Sequence, residues 1–150
     1  MWISSRDGFT ITELLIVLIL MGIVGGFAVM RIGGTLAETR AQRAASVIAA
    51  DLKLAHSLAG RQRMPVRLSI DTVNRVIRIR DYTTPGTVYA ERHFGGAGEY
   101  PVDRLTVSDT SLLVYPNGLA ADDLSVWVRA ASQRRLIRMT RAGLVRVSEP

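Results

Sequence analysis

The chain has 150 residues and an ordinary globular composition, with 48% hydrophobic and 21% charged residues. These values exclude disorder throughout the chain and leave room for one compact domain beside a membrane segment. The sequence has no cysteine, which excludes disulfides, thiol catalysis and thiolate metal sites. The net charge of +6 comes from arginine, which supplies all but one of the 19 basic residues and favours anionic partners.

The first predicted element is an apolar helix over residues 9–30, in which Glu13 is the sole charged residue. At 1.5 Å per residue the stretch measures roughly 33 Å, enough to cross the hydrocarbon layer of a membrane. A cleaved signal peptide is the alternative, but Arg31 follows the stretch and no small-residue cleavage pattern is present. We therefore predict a retained, single transmembrane helix over 9–30.

Glu13 is an unusual residue for such a helix, because an ionised carboxylate in lipid costs about 2 kcal/mol or more. A cut between Gly8 and Phe9 would create an ammonium group four residues before Glu13, on the same face of the helix. Between axially shifted copies of the helix, this pair would neutralise both charges and fix the stagger. The alternative is that Glu13 lies at headgroup depth and stays hydrated.

The residues RDGFTITELLIVLILMG around this site resemble the processing site of type IV pilins and pseudopilins. The resemblance implies that a prepilin peptidase cuts after Gly8, removes the leader 1–8 and methylates the amine of Phe9. It also implies that Glu13 guides subunit assembly, and that the protein crosses the bacterial inner membrane once with its C-terminal part in the periplasm. Counting arginines near the ends of the apolar stretch favours the opposite orientation.

A second helical stretch is predicted over 31–60, from apolar residues spaced by three and four at 44, 47, 48, 52, 55 and 58. Thr35 and Glu38 have the spacing of a helix-capping box, and Gly60 is a candidate end. The two stretches form either separate helices or one long helix with a weak point at Gly33 and Gly34.

After Pro65 the hydrophobic period changes from 3.6 to 2, which predicts a β-rich head domain over 61–150. Short turns at 71–74, 116–118 and 131–133 are predicted hairpin connections. The predicted strands are 66–70, 75–80, 88–94, 105–107, 111–115, 124–130, 135–140 and 144–147.

Two stretches of the head, LKLAHSLAGRQRMPVRLSI and the passage from SLLVYPNG to RRLIRMTRAGLVRV, resemble the H-type pseudopilins, a family that includes FimT-like minor pilins. The resemblance implies an α+β, pilin-like fold with a long N-terminal helix packed on an antiparallel β-sheet head domain. It implies a minor pseudopilin that assembles with other pseudopilins in a type II secretion pseudopilus and helps to drive protein export. The alternatives are a FimT-like minor type IV pilin that binds DNA for natural transformation and a membrane-anchored adaptor that never polymerises.

Arginines are concentrated near the C-terminus and are candidate contacts to an anionic partner. Such a cluster can bind nucleic-acid phosphates, or it can meet the carboxylates of neighbouring subunits, which we favour. The candidates are Arg134, Arg135, Arg138, Arg141 and Arg146.

No catalytic or metal-binding constellation is recognised in the sequence. His56 and His93 are too few and too far apart for a histidine-based metal site. Asp122 and Asp123 lack the further oxygen ligands that a calcium loop needs. No phosphate-binding loop, zinc-protease helix or nucleophile elbow is present. We therefore predict that the chain is not an enzyme and has no metal or cofactor.

Overall fold

The computed structural model describes residues 9–96 and 98–149, and for residues 28–33 it describes the backbone alone. The chain divides into two compact units, Met1–Thr35 and Leu36–Pro150. The leader 1–8, including Gly8, lies outside the described residues.

A single helix, α1, extends over Ile11–Gln62. The two helical stretches are therefore continuous, and Thr35 lies inside the helix instead of capping a second one. Each interior glycine costs about 1 kcal/mol relative to alanine, which alanine- and leucine-rich flanks without proline can offset. The helix passes Gly60 and ends before Arg63, whose φ of 54° supplies the left-handed residue that commonly follows a helix.

Within the described residues, no helix has the length and apolar character needed to cross a membrane.

Eight strands follow the helix, and each predicted strand is confirmed to within two residues at either end. The regular alternation of apolar and polar side chains explains this agreement, since a half-buried strand requires it. The strands are β1 Val66–Asp71, β2 Val76–Asp81, β3 Val88–His93, β4 Arg104–Val107, β5 Ser111–Val114, β6 Leu124–Ala130, β7 Gln133–Met139 and β8 Val145–Ser148.

These strands form two four-stranded antiparallel sheets. The first has the order β3-β2-β1-β5, and the second has the order β4-β6-β7-β8. The head therefore has two sheets where the sequence predicted one, although the predicted α+β class with a helix on antiparallel strands is confirmed. The predicted turns at 71–74 and 131–133 join neighbouring strands. The turn at 116–118 instead carries the chain from the first sheet to the second, with one bridge between Val114 and Ala120.

The core of the head lies between the C-terminal part of α1 and the inner faces of both sheets. Small side chains predominate on the buried side of the helix, so its backbone can lie close to the strands. Ile48 and Leu52 supply the large apolar side chains there. The buried alanines of the helix are Ala37, Ala41, Ala44, Ala45, Ala49, Ala55 and Ala59.

Candidate assembly site and arginine face

The first turn of α1 is capped by Thr10. The Glu13 amide donates a hydrogen bond to Thr10 Oγ1 over 3.2 Å, and the Leu14 amide donates to the Thr10 carbonyl over 3.2 Å. Thr10 and Glu13 have the spacing of a capping box, a signal that sequence analysis applied to Thr35 and missed here. The helix therefore begins two residues after Phe9, and its first turn contains the exposed Glu13.

Residues 9–27 of the apolar stretch are exposed in the single chain. Its large apolar side chains are between 45% and 84% exposed. A contiguous apolar surface of this size marks a site of interaction with other molecules. The residues are Phe9, Ile11, Leu14, Leu15, Ile16, Val17, Leu18, Ile19, Leu20, Met21, Ile23, Val24 and Phe27.

Arg135 is buried beside α1 and does not belong to an exposed cluster, which corrects its assignment as a contact to an external anion. It lies on the same face of β7 as Ile137 and Met139, and its side chain is 8% exposed. Its Nη1 lies 2.7 Å from Glu149 Oε1, and its Nε donates to Gln42 Oε1 over 2.9 Å. The guanidinium also lies 3.4 Å from Glu38 Oε1, so Arg135 links the helix, β7 and the residue after β8.

Three of the other predicted arginines, Arg134, Arg138 and Arg146, lie on the outer face of the second sheet. The register places Arg129 opposite both Arg104 and Arg134, and it places Arg138 opposite Arg146. Trp127 lies between the two groups and is 37% exposed. We call this surface the arginine face, defined by Arg104, Arg129, Arg134, Arg138, Arg146 and Trp127.

Arg141 lies apart, in the turn after β7. Its amide donates a hydrogen bond to Asp123 Oδ1 over 2.7 Å. The acidic pair Asp122 and Asp123 therefore has a structural use, because one of its carboxylates ties the loop before β6 to the loop after β7. In the part of the chain that the structure describes, no group of three or more histidine or acidic side chains could hold a metal ion.

Asp51 is a buried charge on α1 that sequence analysis missed. Its Oδ2 lies 3.6 Å from Nε of Arg92 on β3. Burial raises the pKa of Asp51, and the positive charge of Arg92 partly opposes this rise. The pair joins the helix to the first sheet. The sequence signal was an aspartate directly before Leu52, on the helix face predicted to be apolar.

His56 packs against two turns of the head and has no metal-binding neighbours among the described residues. Gly118 and Gly143 both have a positive φ, of 82° and 79°, and both lie beside its imidazole. His93 lies on β3 with its Nε2 3.2 Å from Glu91 Oε1. The two histidines are therefore placed on separate parts of the head.

Comparison with solved structures gives two likenesses in fold. The minor pilin FimU of Pseudomonas aeruginosa superposes with a TM-score of 0.60 at 15% identity, covering 73% of this chain and 89% of FimU. The minor pseudopilin EpsH of the type II secretion system of Vibrio cholerae gives a TM-score of 0.55 at 15% identity, covering 74% of this chain and 98% of EpsH. The chain has a type IV pilin-like fold.

No protein-family profile matches the chain, and no curated protein matches it by sequence. At 15% identity the likeness concerns the pilin-like fold, so it is the backbone arrangement that the three proteins share. FimU is named as a minor pilin and EpsH as a minor pseudopilin.

Proposed function

We propose that this chain is a minor pseudopilin, a structural subunit that joins a type II secretion pseudopilus through its N-terminal helix and helps to drive protein export. The pilin-like fold supports this proposal, and so does the name of EpsH, a minor pseudopilin of a type II secretion system. In this proposal the partners of the chain are neighbouring pseudopilins and the prepilin peptidase, which methylates the new N-terminus.

The observation that carries the proposal is the exposed apolar surface of α1 with Glu13 in its first turn. The large apolar side chains from Ile11 to Phe27 are 45% to 84% exposed in the single chain. In a filament, equivalent helices from other subunits cover this surface, and van der Waals packing and burial stabilise the assembly. Gly22 and Gly26 leave open space on the helix, which lets a neighbouring helix approach closely.

The pairing of charges sets the axial order of the subunits. Cleavage after Gly8 makes Phe9 the first residue, and its methylated amine lies just ahead of the Thr10 cap. Glu13 is exposed and accepts no hydrogen bond from another described residue. The amine of a neighbouring subunit then pairs with Glu13, and neither charge is left alone in the apolar interior of the filament.

The inner membrane holds the subunit before assembly in this proposal. Residues 9–30 lie in the bilayer, residues 31–60 continue the helix, and the head from 61 to 150 faces the periplasm. The resemblance of the processing site to that of pilins and pseudopilins supports this orientation.

The mass of the purified chain tests the processing step. In cells with an active prepilin peptidase, we expect the full-length product to lack residues 1–8 and to carry one methyl group on Phe9. A product that still begins at Met1 would contradict the proposal. Blocking the peptidase is the control, because it should restore the mass of the unprocessed chain.

Substitution of Glu13 tests the assembly step. Glu13→Gln keeps the shape and removes the charge, so we expect loss of co-purification with the other filament subunits while cleavage continues. Glu13→Asp keeps the charge with a shorter side chain and should retain more assembly. Equal assembly of both variants and the unchanged chain would show that the carboxylate does not guide docking.

A FimT-like pilin that binds DNA remains the alternative, since FimU is a type IV minor pilin and several arginines are exposed. Burial of Arg135 removes it from the predicted DNA-contacting cluster, and Arg141 is exposed in a turn apart from Arg134, Arg138 and Arg146. DNA binding that weakens steeply with salt and is lost on reversal of these charges would favour this alternative.

A further inference from the structure

The arginine face brings like charges together across adjacent strands. Arg104 is opposite Arg129, Arg129 is opposite Arg134, and Arg138 is opposite Arg146. Residues in such positions lie about 5 Å apart at Cβ, and like charges directly opposite each other are destabilising. The sheet therefore retains an arrangement that works against its own stability.

The acids of the head do not relieve this repulsion. Other arginines have carboxylate partners, as Arg78 has Glu91 at 2.9 Å and Arg92 has Asp51 at 3.6 Å. Among the described residues, none of the five guanidinium groups of the arginine face lies within ion-pair distance of a carboxylate. Arg129 donates instead to the Ala131 carbonyl over 3.0 Å.

An apolar centre separates the two groups of arginines. Trp127 and Leu136 are directly opposite each other on β6 and β7, and both are partly exposed. Beside Trp127 is a cavity of about 330 Å³, lined by Arg104, Thr106, Trp127, Val128, Arg129 and Arg134. An aromatic anchor surrounded by arginine is typical of the residues that carry binding energy between proteins.

From these observations we propose that the arginine face docks an acidic surface on the head of a neighbouring, non-identical subunit of the filament. Trp127 and Leu136 become buried in this contact, and the arginines pair with carboxylates of the partner. This inference rests on the proposed function, because it names the chemistry of a partner within the same filament. A second copy of this chain is disfavoured, because each copy carries a net charge of +6.

The same face is less suited to nucleic acid. Proteins that bind single strands combine a basic groove with several aromatic side chains on which successive bases stack. Trp127 is the one aromatic residue on this face, and its cross-strand neighbours are Thr106 and Leu136. An aliphatic neighbour buries well against a protein side chain and offers no stacking surface to a base.

Photo-crosslinking of the full-length chain in its own cells tests the proposal. A photo-reactive phenylalanine analogue replaces Thr106, which is exposed beside Trp127, and the control carries it at Thr84, exposed next to the first sheet. We expect light to produce one discrete protein adduct from position 106 and none from 84. Mass spectrometry should identify the captured protein as another pilin-like subunit with an acidic head.

Charge reversal supplies the matched comparison. Arg134→Glu with Arg138→Glu should reduce the adduct about tenfold, as expected for the loss of close charge pairs. Arg43→Glu with Arg61→Glu makes the same change in net charge at exposed positions of α1 and should leave the adduct unchanged. When the chain carries Arg134→Glu and Arg138→Glu, replacing the partner's acidic residues with lysine should restore the adduct.

Each contrary result overturns the inference. The inference is wrong if the adduct is sensitive to nuclease, or if the captured molecule is a lipid or a second copy of this chain. It is also wrong if the adduct survives reversal of Arg134 and Arg138, or if no adduct forms. Measuring the mass of the chain in the same cells separates the two proposals. A processed chain that co-purifies with other subunits but gives no adduct contradicts this inference alone, whereas an unprocessed chain contradicts the proposed function.

Discussion

The imidazole of His56 on α1 occupies the space that a side chain at Gly143 would need. A Cβ built at Gly143 would lie 2.5 Å from His56 Cε1, whereas one at Gly118 would lie 3.4 Å from the same atom. Both glycines have nearly the same φ, so the two positions differ mainly in their distance from His56. The helix and the last turn of the second sheet therefore meet where a side chain cannot be accommodated.

We expect Gly143→Ala to destabilise the head more than Gly118→Ala. Both changes put a residue with a Cβ at a backbone position of positive φ, where the left-handed conformation costs about 1–2 kcal/mol. The first also forces His56 to move, which adds about 1 kcal/mol or more. Urea unfolding of the full chain in detergent measures both, and His56→Ala should remove the excess cost of Gly143→Ala. Equal destabilisation by the two alanines would contradict the close approach.

Arg135 is predicted to contribute to stability through its contacts with Gln42 and Glu149. Arg135→Met keeps much of the buried volume and removes these charge-assisted hydrogen bonds, at a cost of about 1–3 kcal/mol. Arg134→Met, at the adjacent exposed position, should change the free energy of unfolding by less than about 0.5 kcal/mol. Thermal unfolding of both variants checks this difference. A stable Arg135 variant would mean that the buried contacts contribute little.

Close packing of α1 on the strands predicts a strong dependence on side-chain size at Ala55, which is 0% exposed. Ala55→Leu should lower the free energy of unfolding by about 1–3 kcal/mol, because the added atoms have no space. Ala50→Leu makes the same change on the exposed side of the helix and should have almost no effect. If both variants unfold at the same urea concentration, the helix has room to move away from the sheets.

Asp51 should make stability depend on pH. Burial raises its pKa in the folded chain above the ordinary value of 3.8, so the folded state favours the protonated form. The stability that protonated Asp51 contributes to the folded chain is present in full below pH 3.8 and is lost as the pH rises through the raised pKa. Relative to the unchanged chain, Asp51→Asn should therefore gain stability as the pH increases over that interval, and the difference should then become constant.

The role of Arg92 gives a second check on this interval. Since Arg92 lowers the pKa of Asp51, Arg92→Met should raise that pKa further and extend the pH range over which stability falls. Urea unfolding at a series of pH values measures the effect. If Asp51→Asn has the same pH profile as the unchanged chain, Asp51 does not titrate as proposed.

The strands were predictable because their signal is local. Ile77 and Ile79 alternate with Arg78 and Arg80 within a few residues, and this period is sufficient to define β2. The division into two sheets depends on pairing between distant segments, as when β5 pairs with β1 across two intervening hairpins and loops. Alternation alone does not specify the partner of a strand, so the single predicted sheet became two.

Arg135 shows why site residues were harder to predict than strands. Its position in register with Ile137 and Met139 placed it on the inner face, but its location among other arginines favoured exposure. The decisive partners, Gln42 and Glu38, are 93 and 97 residues away in the chain. The continuity of α1 was also hard to predict, because Gly33 and Gly34 weaken a helix locally while the long helical flanks on both sides maintain it.

The start of α1 at Ile11 has a consequence for the enzyme that would trim the chain. Phe9 and Thr10 are not helical, and the Thr10 hydroxyl terminates the helix on its own side of the junction. A protease binds its substrate in extended form, so the residues following the scissile peptide need no unwinding before they enter the catalytic cleft. If the chain is processed as proposed, the boundary between Thr10 and Ile11 separates the segment that is read as a substrate from the segment that packs as a subunit.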